Sequence, residues 1–129
     1  MTTQFDHVGV ATDDAGALAA LFADLADLEV VHEEEFNGLR VVFVDTGEGY
    51  LELLEPLESG TISRYLEENG PGLHHVALET DDLVGTLETA RDLGIELIDE
   101  EPRSGAWGHE IAFLDPKDTG GILVEFVEH

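Results

Sequence analysis

The sequence predicts the α+β fold class, built as two tandem βαβββ modules, because its segments recur at a nearly constant spacing. Laying His75 on His7 sets an offset of 68 residues (75 − 7), and two more blocks match at that offset. Two later blocks match at offsets that widen to 73 residues (125 − 52), as loop insertions produce. The matched blocks are Thr12-Asp13-Asp14 with Thr80-Asp81-Asp82, Asp24-Leu25 with Asp92-Leu93, Phe43-Val44-Asp45 with Phe113-Leu114-Asp115, and Leu51-Glu52-Leu53 with Val124-Glu125-Phe126.

The composition is that of a globular protein, since 43% of the 129 residues are hydrophobic and 27% are charged. This length suits one compact domain rather than two independent ones. We therefore expect a single domain over residues 1–129. Within it, module 1 spans about 4–55, a linker spans 56–72, and module 2 spans about 73–128.

The chain is extremely acidic, with 30 Asp and Glu against 5 Lys and Arg and a formal net charge of −25. Because the acidic residues recur in both modules, we interpret them as a solvated surface suited to a salt-rich cytoplasm, as in halophilic proteins. The same count argues against nucleic-acid or membrane-surface binding, which needs a basic stripe. The sequence has no secretion signal and no apolar run of bilayer-spanning length, so a cytoplasmic location is expected.

Module 1 begins with a predicted strand, Phe5–Ala11, whose alternation puts His7 on a face of small residues. A helix follows to about Leu28, with Thr12 or Asp13 as its predicted N-cap. Its apolar stripe is predicted to comprise Leu18, Leu21, Phe22 and Leu25. The remaining strands are predicted at Glu29–Glu34, Leu39–Asp45 and Tyr50–Glu55, with a turn at Asn37-Gly38.

The linker is predicted to hold one short helix, about Thr61–Glu68. Module 2 has a predicted helix at Asp82–Leu93, which Gly94 ends, and a lone Trp107 expected at a rim. Its strands are predicted at His74–Glu79, Ile95–Asp99, Glu110–Leu114 and Ile122–Val127. Two glycine-containing loops are expected to carry binding residues, Pro102–His109 and Asp115–Gly121.

Each module supplies one His in its first strand and one Glu in its last, and these are the candidate ligands: His7, Glu52, His75 and Glu125. Each Glu lies between two apolar residues, so strand alternation points it away from the face that packs on helices. A carboxylate buried on the other face is costly unless it is paired or metal-bound. Since the chain has no cysteine, a metal must use N and O donors, and two such pairs suit a divalent cation.

The other histidines lack this pattern. His74 is predicted to point to the face opposite His75, and three more have no counterpart in the other module: His32, His109 and His129. The acidic runs are interpreted as solvated surface, at Glu33–Glu35 and Asp99–Glu101.

The duplicated plan with its His, Glu, His, Glu order resembles the vicinal oxygen chelate (glyoxalase/bleomycin resistance/dioxygenase) superfamily over nearly the whole chain. Four segments are similar to the methylmalonyl-CoA epimerase family within it: Leu51–Leu57, Gly72–His75, Asp99–Gly108 and Pro116–Glu125. The resemblance implies a curved, barrel-like mixed sheet around a metal site, with the helices outside. It also implies a divalent ion, Co²⁺, Mn²⁺, Zn²⁺ or Ni²⁺, on the four candidate ligands.

The implied reaction is metal-dependent interconversion of (2R)- and (2S)-methylmalonyl-CoA. A proton leaves C2, a metal-stabilised enolate forms, and reprotonation occurs on the other face. Some family members use a third-strand glutamate as one base, and the matching position here is Val41. Glu125 is therefore the candidate base, and Glu52 or a metal-bound water is the second donor. Arg103 and Lys117 are expected to meet the phosphates of the acyl-CoA substrate, and a homodimer is expected.

Two other functions stay open for this sequence. One is a glyoxalase I-like lyase or isomerase of the lactoylglutathione type, acting on a thiol adduct. The other is a metal-free protein of the same fold that binds a small ligand. A non-haem iron oxygenase is disfavoured, because it would usually present two His and one carboxylate rather than four ligands.

Overall fold

This computed structural model describes residues 2–129 of the chain. In that range the elements are, in order, β1 (Thr3–Ala11), α1 (Ala15–Ala26), β2 (Glu29–Phe36), β3 (Leu39–Asp45), β4 (Tyr50–Pro56), α2 (Thr61–Asn69), β5 (Gly72–Thr80), α3 (Leu83–Asp92), β6 (Arg103–Ser104), β7 (Glu110–Leu114) and β8 (Val124–Glu128). Two short 3₁₀ turns lie at Ala106–Gly108 and Pro116–Asp118. Within 2–129, no helix combines the length and the apolar content that crossing a bilayer requires.

The chain divides into two compact units. The N-terminal unit comprises residues 7–74, and the C-terminal unit comprises residues 2–6 and 75–129. Strand β1 is divided between them, since its first residues belong to the C-terminal unit. Each unit has strands and one of the two long helices predicted from the repeat, α1 or α3, and the N-terminal unit also holds α2.

The N-terminal unit has the strand order β2-β3-β4-β1. Strand β1 is parallel to β4, whereas β3 is antiparallel to both β2 and β4. One face packs on α1 through buried Ala15, Ala19, Val42, Val44 and Leu53. The hairpin between β2 and β3 turns at Asn37-Gly38, where both residues have positive φ (49° and 75°), as a two-residue turn of this kind requires.

The C-terminal unit has the order β5-β8-β7-β6, with residues 3–6 of β1 beyond β5. Strands β5 and β8 are parallel, and β7 is antiparallel to both β8 and β6. Helix α3 covers one face, where Leu83, Leu87, Ala90, Leu97, Ala112 and Leu114 form the core. A smaller apolar group lies apart from this cluster: Ala77, Ile111 and Val127, with Phe113 packed against them.

The N-terminus of α1 differs from the prediction. Its N-cap is Asp14, whose carboxylate accepts the backbone N–H of Ala17 at 3.0 Å. Thr12 instead accepts the N–H of Asp14 at 3.3 Å, one step outside the helix. The prediction of Thr12 or Asp13 as N-cap was therefore wrong, because three acceptors in a row satisfied the sequence signal equally well.

The predicted apolar stripe of α1 was wrong in half of its members. Leu21 is 54% exposed and Leu25 is 72% exposed, whereas Ala15 and Ala19 are buried. Each residue turns a helix by about 100°, so a position two after Ala19 lies about 200° away, on the opposite side. Small alanines let α1 approach the sheet closely, and the larger leucines are left facing water.

The predicted strand Ile95–Asp99 is also absent from the described structure, which has there only an isolated bridge between Leu97 and Leu114. The backbone N–H groups of this segment bond elsewhere: that of Glu96 donates to Asp118, and those of Ile98 and Asp99 donate to the Phe113 carbonyl. These contacts satisfy the backbone N–H groups without the regular hydrogen-bond pattern of paired strands. The two-residue strand β6 pairs with β7 in its stead, inside the segment predicted as a loop.

Candidate functional site

In the N-terminal unit, His7 on β1 lies beside Glu52 on β4. Their Nε2 and Oε1 atoms are 3.3 Å apart, and the side chains are only 5% and 9% exposed. Gly9 is the residue opposite Glu52 in the parallel β1–β4 pairing, so this position contributes no side chain next to the carboxylate. The neighbours of Glu52 in β4, Leu51 and Leu53, pack against the α1 core, as the alternation predicted.

In the C-terminal unit, His75 on β5 lies beside Glu125 on β8 in the same arrangement. The Nε2–Oε1 distance is 3.4 Å, and the side chains are 4% and 7% exposed. Ala77 stands opposite Glu125, where Gly9 stands opposite Glu52. The flanking Val124 and Phe126 pack against the α3 core.

The aromatic neighbour of each histidine is repeated as well. Phe43 meets His7 edge-on with ring centroids 5.9 Å apart, and Phe113 meets His75 edge-on at 5.4 Å. Each Phe is also the residue opposite the Glu of its pair, on β3 or β7. The two units therefore present the same three-residue group, an imidazole, a carboxylate and a phenyl ring.

The donor set of each pair fits a divalent metal ion. Two donors that each lie about 2.1 Å from one ion are about 3.0–3.4 Å apart, which matches the distances of 3.3 and 3.4 Å in the two pairs. Imidazole nitrogen with carboxylate oxygen suits Co²⁺, Mn²⁺, Zn²⁺ or Ni²⁺. Each pair alone provides two ligands, fewer than the three or four that such ions usually take from a protein.

Arg103, predicted to bind CoA, lies near the C-terminal pair. Its guanidinium carbon is 5.7 Å from the ring centroid of Phe113, the phenyl group that contacts His75. Its Nε donates to Asp99 at 2.9 Å, and Asp99 also accepts the backbone N–H of Phe113. Asp99 thus has a structural role, and the interpretation of the run Asp99–Glu101 as wholly solvated was wrong at this residue.

Lys117, the other predicted CoA-binding residue, is exposed in the 3₁₀ turn after β7. Its ammonium bonds to Glu96, and this hydrogen bond, with the negative charge of Glu96, raises the pKa of Lys117 above its ordinary value. Asp115 caps the turn by accepting the N–H of Lys117 at 3.0 Å. Lys117 therefore stays a cation at any physiological pH.

Two more predicted positions behave as follows. Val41 is 1% exposed and is opposite Glu34 in the β2–β3 pairing, so this buried position carries no proton-transfer group. Trp107 is half-buried in a 3₁₀ turn and stacks on His109, with ring centroids 5.8 Å apart.

The sequence reasoning missed two polar groups. His32 is opposite Phe43 on β3, and its Nε2 lies 3.2 Å from Glu34, which is half-buried rather than fully solvated. The alternation of β2 could have shown that His32 and Glu34 share a face. The second group joins Asp6 to His129 across 123 residues of sequence, and no local pattern indicates such a contact.

A family model matches residues 6–113 and is described as the Glyoxalase/Bleomycin resistance protein/Dioxygenase superfamily. This match covers most of the chain and includes His7, Glu52 and His75. The chain belongs to this superfamily. It is the superfamily that the sequence motifs resemble.

Within the superfamily, the chain is similar to epimerases. It is 34% identical to the ethylmalonyl-CoA/methylmalonyl-CoA epimerase of Cereibacter sphaeroides, over 97% of each chain. A solved methylmalonyl-CoA epimerase in complex with methylmalonyl-CoA and NH₄⁺ is 35% identical, with a TM-score of 0.92 over 99% of this chain and 95% of that one. A hypothetical protein from Bacillus halodurans C-125 gives a TM-score of 0.96 at 29% identity, over 100% of this chain and 96% of that one. The predicted α+β fold class is confirmed.

Proposed function

We propose that this protein is a methylmalonyl-CoA epimerase, an isomerase that interconverts the (2R) and (2S) forms of its substrate. The observation that carries the proposal is the pair of equivalent, buried His–Glu groups in a chain that is similar, over nearly its whole length, to epimerases of that name. A reaction that must treat the two faces of one carbon alike is well served by two copies of one arrangement.

His7, Glu52, His75 and Glu125 together hold one divalent ion in this proposal. The support is chemical, since each pair alone offers too few ligands, whereas two pairs offer four N and O donors. When bound, such an ion supplies positive charge where negative charge develops as the C2 proton leaves. The predicted homodimer and cytoplasmic location stay predictions.

The proton is moved by the chain's own carboxylates. Glu125 accepts the proton from C2, and the electrons of the broken C–H bond delocalise toward the thioester carbonyl. Glu52, from the other module, delivers a proton to the opposite face. Each carboxylate has two oxygens, so one can serve as a ligand while the other exchanges a proton.

Arg103 and Lys117 bind the CoA part of the substrate in this proposal. The support for Arg103 is its position beside Phe113, the ring that contacts His75. Its guanidinium can donate hydrogen bonds to phosphate while the bond to Asp99 orients the side chain. Lys117 would exchange its bond to Glu96 for one to phosphate. The chain has only 5 Lys and Arg, and two of them flank β7 in sequence: Arg103 in β6 and Lys117 in the 3₁₀ turn after β7.

The test is epimerisation of methylmalonyl-CoA in deuterated water, at molar KCl with divalent metal supplied, measured as deuterium gained at C2. Wild type should incorporate deuterium into both epimers, and Glu125→Gln should interconvert them about a thousandfold more slowly. Glu110→Gln, an exposed carboxylate on β7, is the matched control and should match wild type.

If wild type incorporates no deuterium, the epimerase proposal fails. Turnover of a glutathione hemithioacetal by the same preparation would favour the glyoxalase-like alternative. If Glu125→Gln keeps the wild-type rate, the assignment of the base is wrong while the epimerase function stands.

A further inference from the structure

The C-terminal unit contains a second group of metal-ligating atoms, away from the His75–Glu125 pair. Asp6, Glu79 and His129 each offer one ligand atom, and these atoms all lie within 4.8 Å of one another. The His129 Nε2 is 2.6 Å from the Asp6 Oδ1 and 3.9 Å from the Glu79 Oε1.

Three strands bring these residues together. Asp6 lies on β1, Glu79 lies on β5, and His129 directly follows β8. The N-terminal end of β1 is tied to β5 by the hydrogen bond from the Gln4 amide to Glu79 at 3.1 Å. The backbone N–H of Thr2 adds a second tie, at 2.9 Å to Asp81.

The group is separate from the His75–Glu125 pair. Glu79 lies four residues after His75 on β5, and His129, directly after β8, lies four residues after Glu125. Four residues of strand span about 13 Å, so one ion cannot contact both groups.

The charges of this group favour a cation. Asp6 is 5% exposed, although a buried carboxylate is costly without compensating charge. Two carboxylates face one imidazole here, and one divalent ion would balance the negative charges of both. The chain's net charge of −25 adds to the attraction for a cation.

The position of the His129 ring is set by its neighbours. His109 packs on it with ring centroids 3.9 Å apart, and Trp107 stacks on the other imidazole. This aromatic stack limits the rotation of His129 and keeps its Nε2 directed at Asp6. Ion binding would need only a widening of the 2.6 Å contact to about 3 Å.

We propose that Asp6, Glu79 and His129 form a second divalent-cation site. One imidazole and two carboxylates suit a borderline ion such as Zn²⁺ or Mn²⁺, and three protein ligands leave positions for water. The ion joins the end of β8 to β1 and β5, so it stabilises the C-terminal unit. The site does not depend on the proposed epimerase function.

The test is the number of Zn²⁺ ions bound per chain, measured by competition with a chromophoric chelator in molar KCl, where screening suppresses loose binding to surface carboxylates. His129→Ala should bind one ion fewer than wild type, and Glu79→Gln should bind that ion at least tenfold more weakly. His32→Ala is the matched control, because His32 also lies within 3.2 Å of a carboxylate; it should leave the count unchanged.

The variant His129→Ala is expected to fold, since its side chain is 34% exposed at the end of the described chain. Zn²⁺ should raise the melting temperature of wild type more than that of His129→Ala. If the two proteins bind equal numbers of ions and gain equally in melting temperature, Asp6 and His129 form an ion pair only, and the proposal is overturned. If the proposed site of His7, Glu52, His75 and Glu125 binds no ion, the Zn²⁺ counts of wild type and of His129→Ala both fall by one. The difference between the two proteins then stays the same.

Discussion

The two units are alike in the strands that carry the His–Glu pairs and differ in their outer strands. The His–Glu distances are 3.3 Å in the N-terminal unit and 3.4 Å in the C-terminal unit, each with a phenyl ring edge-on to the imidazole. The outer strands differ, because the N-terminal unit has the eight-residue β2 where the C-terminal unit has an irregular segment with one bridge. The parallel strands that carry the pairs are thus the constant part of the repeat, and the sheet edges are free to vary.

The helix N-termini belong to the constant part. Asp14 and Asp82 cap α1 and α3 in the same way, each accepting an N–H three residues on at 3.0 Å. The first N–H of each helix donates to a glutamate at the end of the unit's last strand, Glu55 at 2.8 Å or Glu128 at 2.7 Å. The equivalence therefore extends from the pairs to the packing that supports them.

The largest expected effect tests whether Glu52 and Glu125 are equivalent in the reaction as well as in structure. Glu125→Gln and Glu52→Gln should each slow epimerisation about a thousandfold. Each variant should still exchange the C2 proton of one epimer. That epimer should be different for the two variants, because each carboxylate serves one face. The measurement is deuterium incorporation starting from separated (2R) and (2S) substrate. If both variants exchange the C2 proton of the same epimer, Glu52 and Glu125 are not equivalent in the reaction.

A smaller effect is expected from the two cations of the C-terminal unit. Arg103→Ala should raise KM for the acyl-CoA about tenfold with little change in kcat. The substitution removes a charge-assisted contact that is equally strong in the substrate complex and in the transition state. Lys117→Ala should act in the same direction, and Arg64→Ala on exposed α2 serves as the control. Steady-state kinetics decide this, and a KM that stays at the wild-type value in both variants would remove these residues from the CoA site.

The smallest effect concerns the helix caps. Asp14→Ala and Asp82→Ala should each lower the free energy of unfolding by about 1 kcal/mol, and by similar amounts, because the same hydrogen bond is lost in each unit. Asp13→Ala should be nearly neutral, since Asp13 is not the cap. Urea denaturation at molar KCl measures all three, and a larger loss in Asp13→Ala than in Asp14→Ala would contradict the observed cap.

The sequence was most informative where the repeat applied. Matching His75 to His7 identified the two histidines and, with the last strands, Glu52 and Glu125, and period-two alternation correctly put both carboxylates opposite the helix-packed face. A strand residue can point to only one of two sheet faces, so the apolar residue on each side of a glutamate was enough to assign its face.

The sequence was least informative where the backbone had a choice of partners. The segment 95–99 has the composition of a strand, yet its N–H groups bond to Asp118 and to the Phe113 carbonyl. In α1, the alanines rather than Leu21 and Leu25 face the sheet, because close approach favoured small residues. The contact of Asp6 with His129 depends on three strands meeting, which no local pattern encodes.

We propose that the two equivalent His–Glu pairs jointly hold one ion. The most direct measurement is the divalent metal content of two double variants, His7→Ala/Glu52→Ala and His75→Ala/Glu125→Ala, both made in a His129→Ala background so that the second proposed site does not contribute. Each double variant should lose stoichiometric binding while circular dichroism shows a folded protein, because the remaining pair supplies only two ligands. Full metal content in either double variant would show that a single pair binds the ion unaided, and would contradict the joint site.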